Sequence, residues 1–525
     1  MKHVFLFGIF GWLLSFTLVA QTGIWQWSVP VHNFSTHPKN PESRAYLWIP
    51  GQCEQVKAIL VAQHNMEEIS ILEDEAFRQR MAELDVAQIW VCPSFNHGFD
   101  FTDGAWETLD GLLADLAEES GYKELSTAPL IAIGHSAAAS WPYYLAAYKP
   151  ERTLACISVS GQWPYHRDRW LCPDIWGERN INKIPCLETM GEYESAHTWS
   201  NEGLKERKEH PLLPLSMLAC PPEKAQYIAL YIKKAMHYGH VDPTKEGWLM
   251  ERWKKNEKPS CIPAPVNQFK GDPAQAFWFF DREMIEATLA YQSRYYDMKP
   301  QLVSVSQNGK TVSQQNTHLQ VHPAFIPQED GITFQLTPVF LDTVPGESPR
   351  LSNWTDLPVG ASIGHAGKAP VLQMITGPVV LVDSVTFRIQ WNRGTLWTDK
   401  KSDIVFSITH PGDEEYKPAV QQAQMIIPVK NTEGQQQYIK FATLPDIKRG
   451  TKYVSLSAVS SCGLPVDFYV ESGPAYVDGN RLILTAIPPK TTYPVKVTVI
   501  AWQYGKNSDP KIKTAEPVKQ TFYIR

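Results

Sequence analysis

A serine that attacks a carbonyl carbon must stand clear of its neighbours, beside backbone N–H groups that can hold the developing oxyanion. The stretch "APLIAIGHSAAASWPYYLAAYKPER", residues 128–152, offers that arrangement. An apolar β-branched run ends on Gly134, turns at His135-Ser136 and resumes as an Ala-rich helix pattern. Gly-His-Ser-Ala-Ala differs from G-x-S-x-G only in its last residue, and Gly134, Ala137, Ala138 and Ala139 are small enough for strand and helix to pack closely. Small residues also suit an ordinary strand-to-helix turn, but strand, turn and helix in this order favour Ser136 as a nucleophile, with the N–H of Ala137 facing the oxyanion.

A second oxyanion donor is expected from the loop after an earlier strand. "ILVAQHNMEE" places His64, Asn65 and Met66 there. Backbone N–H groups near Asn65 suit the role, and Asn65 is equally a good helix N-cap. An orienting acid is expected behind the strand in "IPCLETMGEYESAHTW", where Glu192 and Glu194 follow Gly191; Glu194 has the better spacing.

These groups need a frame. Between residues 57 and 236 short β-branched runs ("AILVAQ", "QIWVCPS", "LIAIGHS", "LACISVSG", "IPCLETMG", "LPLSMLA") alternate with helix-period segments, the pattern of a parallel sheet covered by helices. In "GAWETLDGLLADLAEESGY", Trp106, Leu109, Leu112, Leu113 and Leu116 share one face. Residues 273–296 read as one more helix, stopped by Lys299-Pro300. Beyond it the runs are strand-like and separated by Gly, Pro, Asn and Asp. At 525 residues the chain exceeds one core, so an α/β domain over 21–298 and one or two β-sandwich modules over 299–525 are expected.

"AQHNMEE", the elbow stretch, "LETMGEYE", "YIALYIKKA" and "GLPVDFYVESGPAYVDGNRLILTAIPP" together resemble exported, esterase-like bacterial α/β-hydrolases with a C-terminal β-rich extension, a group often associated with polysaccharide degradation. The resemblance spans nearly the whole mature chain. It implies an α/β-hydrolase fold, Ser136 as nucleophile and a carboxylate at the "GEYE" turn.

It also implies a general-base histidine in the loop after the last core strand, "LPLSMLA". Here the chain departs from the pattern: it runs "ACPPEKAQYIALYIKKA", with no histidine between 210 and 237. His210, His237 and His240 belong at the far end of the sheet. His64, His97, His166 and His197 fall at the elbow's end, and His197, three residues beyond Glu194, is either a substitute base or a solvated loop residue. Three readings follow: a rerouted base, an impaired hydrolase retained for glycan binding or as a scaffold, or a shortened loop.

Lys2 followed by the apolar run Val4–Ala20 and "FTLVAQT" reads as a signal peptide over 1–20, hence an exported chain starting near Gln21; an uncleaved anchor is the alternative. No second long apolar run follows, so stable membrane insertion after cleavage is not expected. A net charge of -6 gives nucleic acid no electrostatic foothold. Eight cysteines make no CxxC or zinc spacing, so neither metal nor other cofactor is expected. Mostly free thiols are expected, with Cys172 the candidate for any bridge. Eighteen Trp and 21 Tyr, with "SGQWPYHRDRW" and "DIWGE" near the elbow, suit stacking on sugar rings. The expected substrate is an O-acetyl or uronate methyl ester of a polysaccharide or oligosaccharide, with the β-rich region packing against the hydrolase domain.

Overall fold

The apolar runs between residues 27 and 220 pair into one eight-stranded sheet. A computed structural model describes residues 24–35, 42–96, 98–165, 176–191, 196–220, 224–292, 295–313, 320–346 and 349–525. The signal-peptide reading, His97, His166, Cys172, Glu192 and Glu194 fall outside the described residues. The strands are β1 Trp27–Pro30, β2 Arg44–Trp48, β3 Ala58–Gln63, β4 Val86–Cys92, β5 Leu130–His135, β6 Thr153–Val159, β7 Cys186–Gly191 and β8 Leu215–Cys220. Their order is β1-β2-β4-β3-β5-β6-β7-β8. The β1–β2 and β2–β4 pairs are antiparallel and the other five parallel, which is the α/β-hydrolase fold.

Helices cover both faces, so β3, β4 and β5 are buried at every position and read as continuous apolar runs rather than alternating ones. The helices are α1 Glu68–Leu72, α2 Glu75–Glu83, α3 Ala105–Ser120, α4 Trp141–Tyr148, α5 Ala196–Glu209 and α6 Ala225–Tyr238. In α3 four members of the stripe expected from the sequence, Leu109, Leu112, Leu113 and Leu116, are buried against the sheet, whereas Trp106 is only half-buried, with Lys149 Nζ 4.6 Å from its ring centre. The order reverses around β3, whose neighbours are β4 and β5. Such a switch point leaves a crevice at the carboxyl ends of the strands, and there the loop after β3 meets the turn after β5.

One expectation is corrected. Residues 273–296 are not a single helix: β11, Ala276–Phe279, pairs with β9, Trp248–Glu251, in a three-stranded sheet completed by β10, Ala264–Pro265, and only then does α7, Arg282–Gln292, begin. Four buried residues, Ala-Phe-Trp-Phe, claim both faces of a strand, and the Trp278 carbonyl accepts from Ser216 Oγ in β8 at 2.6 Å. Asp281 then starts the helix by accepting the N–H of Met284 at 3.0 Å.

Beyond α7 the strands named in the ladders are antiparallel and short, apart from the ten-residue pair Lys401–His410 and Ala419–Pro428. They enclose one apolar cluster around Phe334, Phe387, Trp391 and Phe406 and another around Leu482, Val497, Val499 and Phe522. A helix over Pro349–Thr355 is an element the sequence reading did not contain. This β-rich region is joined to the hydrolase sheet by polar contacts: Arg393 and Trp25 both donate to Glu73 Oε1, at 3.2 and 2.7 Å, and the N–H of Gly473 donates to the Trp25 carbonyl. No described helix is long and apolar enough to cross a membrane.

Gly134 closes the approach of β5 to the turn after it, because a Cβ there would lie 1.9 Å from the Ala138 carbonyl oxygen. Gly134→Ala is therefore expected to lose about 3 kcal/mol, as overpacking against backbone cannot relax. Gly367→Ala, which meets nothing within 4 Å, should change stability by less than about 1 kcal/mol in the same urea titration.

Candidate active site

β5 ends in extended backbone at His135 (φ -114°, ψ 139°), and Ser136 then enters the left-handed region at φ 49°. A β-unbranched side chain there costs roughly 1–3 kcal/mol and persists only where the surroundings hold it. They do. The N–H of Ala139 bonds the Ser136 carbonyl at 3.0 Å to close a 3-10 turn, and Trp141 Nε1 reaches back to the Ile133 carbonyl at 3.1 Å. On the far side, Gly161 makes room for Ala139, since a Cβ at 161 would lie 1.9 Å from the Ala139 Cβ. Ser136 and Ala137 stay exposed between buried His135 and Ala138. Ser136 Oγ makes no hydrogen bond to a described residue, and the N–H of Ala137 belongs to a first turn, where no intrahelical acceptor exists.

The loop after β3 is bound to this turn, and this changes the part played by Asn65. Its backbone N–H donates to Glu68 Oε2 at 3.1 Å, and its Nδ2 donates to the His135 carbonyl at 2.9 Å. The N–H of Met66 goes to the same Glu68 oxygen and that of His64 to the Val91 carbonyl, both at 2.8 Å. Backbone donors at 64, 65 and 66 are thus all engaged, so Asn65 is a strut of the elbow rather than an open oxyanion donor. Ala137 keeps the position expected of one.

Three charged groups that the sequence reading did not select surround His135. Glu67 Oε2 lies 2.5 Å from Lys224 Nζ, and its Oε1 is 3.9 Å from His135 Nε2 and accepts from Gln422 of the β-rich region at 3.2 Å. Burial would raise the Glu67 carboxyl, but the charge of Lys224, reinforced by His135, pulls it down to about 2. Neighbouring Glu68 has no Lys or Arg bonded to it among the described residues, and burial, only partly offset by His135, raises it above the usual carboxylate value. Asn65-x-x-Glu68 has the spacing of a capping box, the one sequence signal that could have found Glu68. Nothing local could have found the Glu67–Lys224 pair.

The expected general base is corrected as well. His197 is the second residue of α5, and its Nδ1 accepts the backbone N–H of Lys255 at 3.2 Å. Burial and then Arg252 lower its pKa below the usual imidazole value, which favours the neutral ring. With the Nδ1 lone pair occupied, the neutral ring carries its proton on Nε2 and has no lone pair left to take one from Ser136. His240 bonds the carbonyl of Thr153, the first residue of β6, which places it at the sheet end opposite Ser136. The orienting acid, Glu194, lies outside the described residues.

Two described aromatics of the "SGQWPYHRDRW" stretch are engaged in packing. Trp163 is buried and stacks on Phe277, and Tyr165 stacks on His210 with ring centres 3.7 Å apart. Cys53, Cys92, Cys156, Cys186, Cys261 and Cys462 are free thiols, the first four of them buried. Glu206, Glu209 and His210 could offer a metal three ligand atoms, but they sit at the C-terminal end of α5, away from the carboxyl ends of the strands.

No family model and no curated protein matches the chain. Among solved structures it is similar to an S-formylglutathione hydrolase from Staphylococcus aureus, at 10% identity over 40% of this chain and 97% of that one, with a TM-score of 0.27. It is also similar to esterase PE8, at 15% identity over 36% and 97% with a TM-score of 0.27. Est1E from Butyrivibrio proteoclasticus gives 14% identity over 37% and 93% with a TM-score of 0.25.

The buried pair sets a stability prediction. Glu67→Gln strands the Lys224 charge and should cost about 3–5 kcal/mol, whereas Glu67→Gln with Lys224→Met should cost much less. Because the folded carboxyl sits near 2 against an ordinary 4.5, its contribution is complete above about pH 5 and is lost as pH falls from 5 toward 2. Urea titrations of both variants across that range check the sign, and the double variant should lose this part of the acid dependence.

Proposed function

We propose that the chain is an exported carboxylic-ester hydrolase in which Ser136 is the nucleophile, acting on O-acetyl or methyl esters of a polysaccharide. The observation that carries the reading is the left-handed Ser136, exposed at a strand-to-helix turn with its hydroxyl unbonded to described residues. In the step, Ser136 Oγ bonds to the ester carbonyl carbon and the carbonyl electrons move to oxygen, where the N–H of Ala137 meets the charge. The ester C–O bond then breaks, the alcohol leaves with the proton given up by the Ser136 hydroxyl, and water releases the acid from the serine. The polysaccharide as substrate is supported by the leader-like N-terminus and by the sequence resemblance, and the esterase activity named for the similar structures agrees with the reaction class.

A second reading is favoured by one observation: between β8 and α6 there is room only for Pro221, Pro222, Glu223 and Lys224, none an imidazole. On that reading the chain binds glycan on a hydrolase fold with little or no turnover. Losing the histidine of a catalytic triad removes about 10⁶ in rate, so the two readings differ measurably.

A fluorophosphonate probe separates them. Labelling at Ser136, abolished in Ser136→Ala, is expected, and added imidazole should accelerate it by supplying the proton acceptor. Folded wild-type chain that stays unlabelled with imidazole present overturns the esterase reading. Rapid labelling indifferent to imidazole would instead reveal a resident base.

A further inference from the structure

Glu68 is fully buried, and the chemistry above does not use it. Its Oε2 accepts the N–H groups of Met66 and Asn65, as a capping glutamate would. Capping does not explain the other oxygen, which accepts the N–H of His135, 67 positions along the chain, at 2.7 Å.

The register shows what this bond replaces. The parallel β3–β5 ladder runs from Ile59 opposite Leu130 to Ala62 opposite Ile133 and stops, two residues short of the end of β5. At residue 135 both backbone groups turn instead to side chains of the β3 loop: the N–H to Glu68 and the carbonyl to Asn65 Nδ2, at 2.7 and 2.9 Å. The residue so clamped is the one before Ser136.

We propose that Glu68 is a positioning residue of the Ser136 site: with Asn65 it extends the β3–β5 ladder by side chains, fixing the nucleophile against the loop at 64–66. This rests on Ser136 being the nucleophile. The groups facing Glu68 are three backbone N–H donors and the His135 ring, with Glu67 and Lys224 beyond it.

The test uses the full chain and Glu68→Gln, which keeps the volume but turns an amide NH₂ toward N–H donors on one side. The fluorophosphonate labelling rate constant should fall about ten- to hundredfold, because small displacements of a nucleophile cost that much. The fraction finally labelled should still match the folded fraction. A merely structural role would lower that end-point and leave the rate constant per folded molecule unchanged, which overturns the proposal. Amide exchange at 65, 66 and 135 is read in parallel and needs no activity. Faster exchange in Glu68→Gln supports the clamp, and unchanged exchange overturns it. If wild-type Ser136 does not label, the esterase reading fails while exchange still decides the clamp. Should Glu68→Gln not fold, Asn65→Ala removes only the carbonyl half and should lower the same rate constant severalfold; no change overturns the proposal.

Discussion

At position 134 there is no space for a side chain, because the turn that follows β5 folds back until the Ala138 carbonyl oxygen occupies the volume a Cβ would need. That contact sets the rest of the elbow. With strand and turn this close, Ser136 is driven into the left-handed region, its hydroxyl is left outside the packed layers, and α4 must start within a few residues. Close packing is repeated one strand over, where Gly161 accepts the Cβ of Ala139. A row of alanines from 137 to 139 is therefore less a helix-forming device than a limit on thickness between β5, β6 and α4. Strain of this kind is kept only when neighbours over-determine it, and here sterics and the bonds at 133 and 136 do so together.

Below the turn the core is polar, which is unusual for the centre of a sheet. His135, Glu67, Glu68 and Lys224 are buried or nearly so, and each unpaired charge there would cost several kcal/mol. The arrangement survives because the partners are complementary: one glutamate takes the lysine, the other takes three N–H groups. Gln422 adds a bond from the β-rich region, so that region also finishes the solvation of Glu67 where the sheet alone leaves it incomplete. A buried network of this type specifies one arrangement more than it stabilises, since any slip leaves a charge without its partner.

The sheet was legible because its causes are local. Strands buried on both faces must be continuous apolar runs, and the six core runs read from residues 57 to 220 became β3 to β8. Ser136 was legible for the same reason, since glycine, serine and alanines in sequence describe the turn they make. Residues 276–279 were not, because Ala-Phe-Trp-Phe leads without a break into a helical period, and only pairing with β9 separates the two. Trp163 drew attention as a sugar platform, yet type alone does not say whether an indole faces solvent, and Phe277 covers it. Asn65 was left between donor and cap, and its tie to the His135 carbonyl depends on a contact between two strands that spacing cannot show. Lys224 was least visible of all, since a lysine heading a helix after Pro-Pro-Glu reads as solvated until Glu67 is placed beside it.

That lysine bears on the proton. A serine nucleophile must surrender one, and two candidate acceptors among the described residues, His197 and Glu67, are already engaged. The Nδ1 lone pair of His197 is spent on Lys255, and Glu67, held near 2 by Lys224, is a weak base already paired with an ammonium. An ion pair at the head of α6 keeps positive charge at the strand end where an imidazole would be of use, and a charged ammonium offers no lone pair. On the proposed reading, orientation remains, with the N–H of Ala137 as the oxyanion donor. In serine hydrolases those parts alone retain about 10³–10⁴ over the reaction in water. On that reading the chain separates two contributions usually found together: the packing at Gly134 preserves the geometry of attack, while proton removal depends on whatever base reaches the exposed hydroxyl.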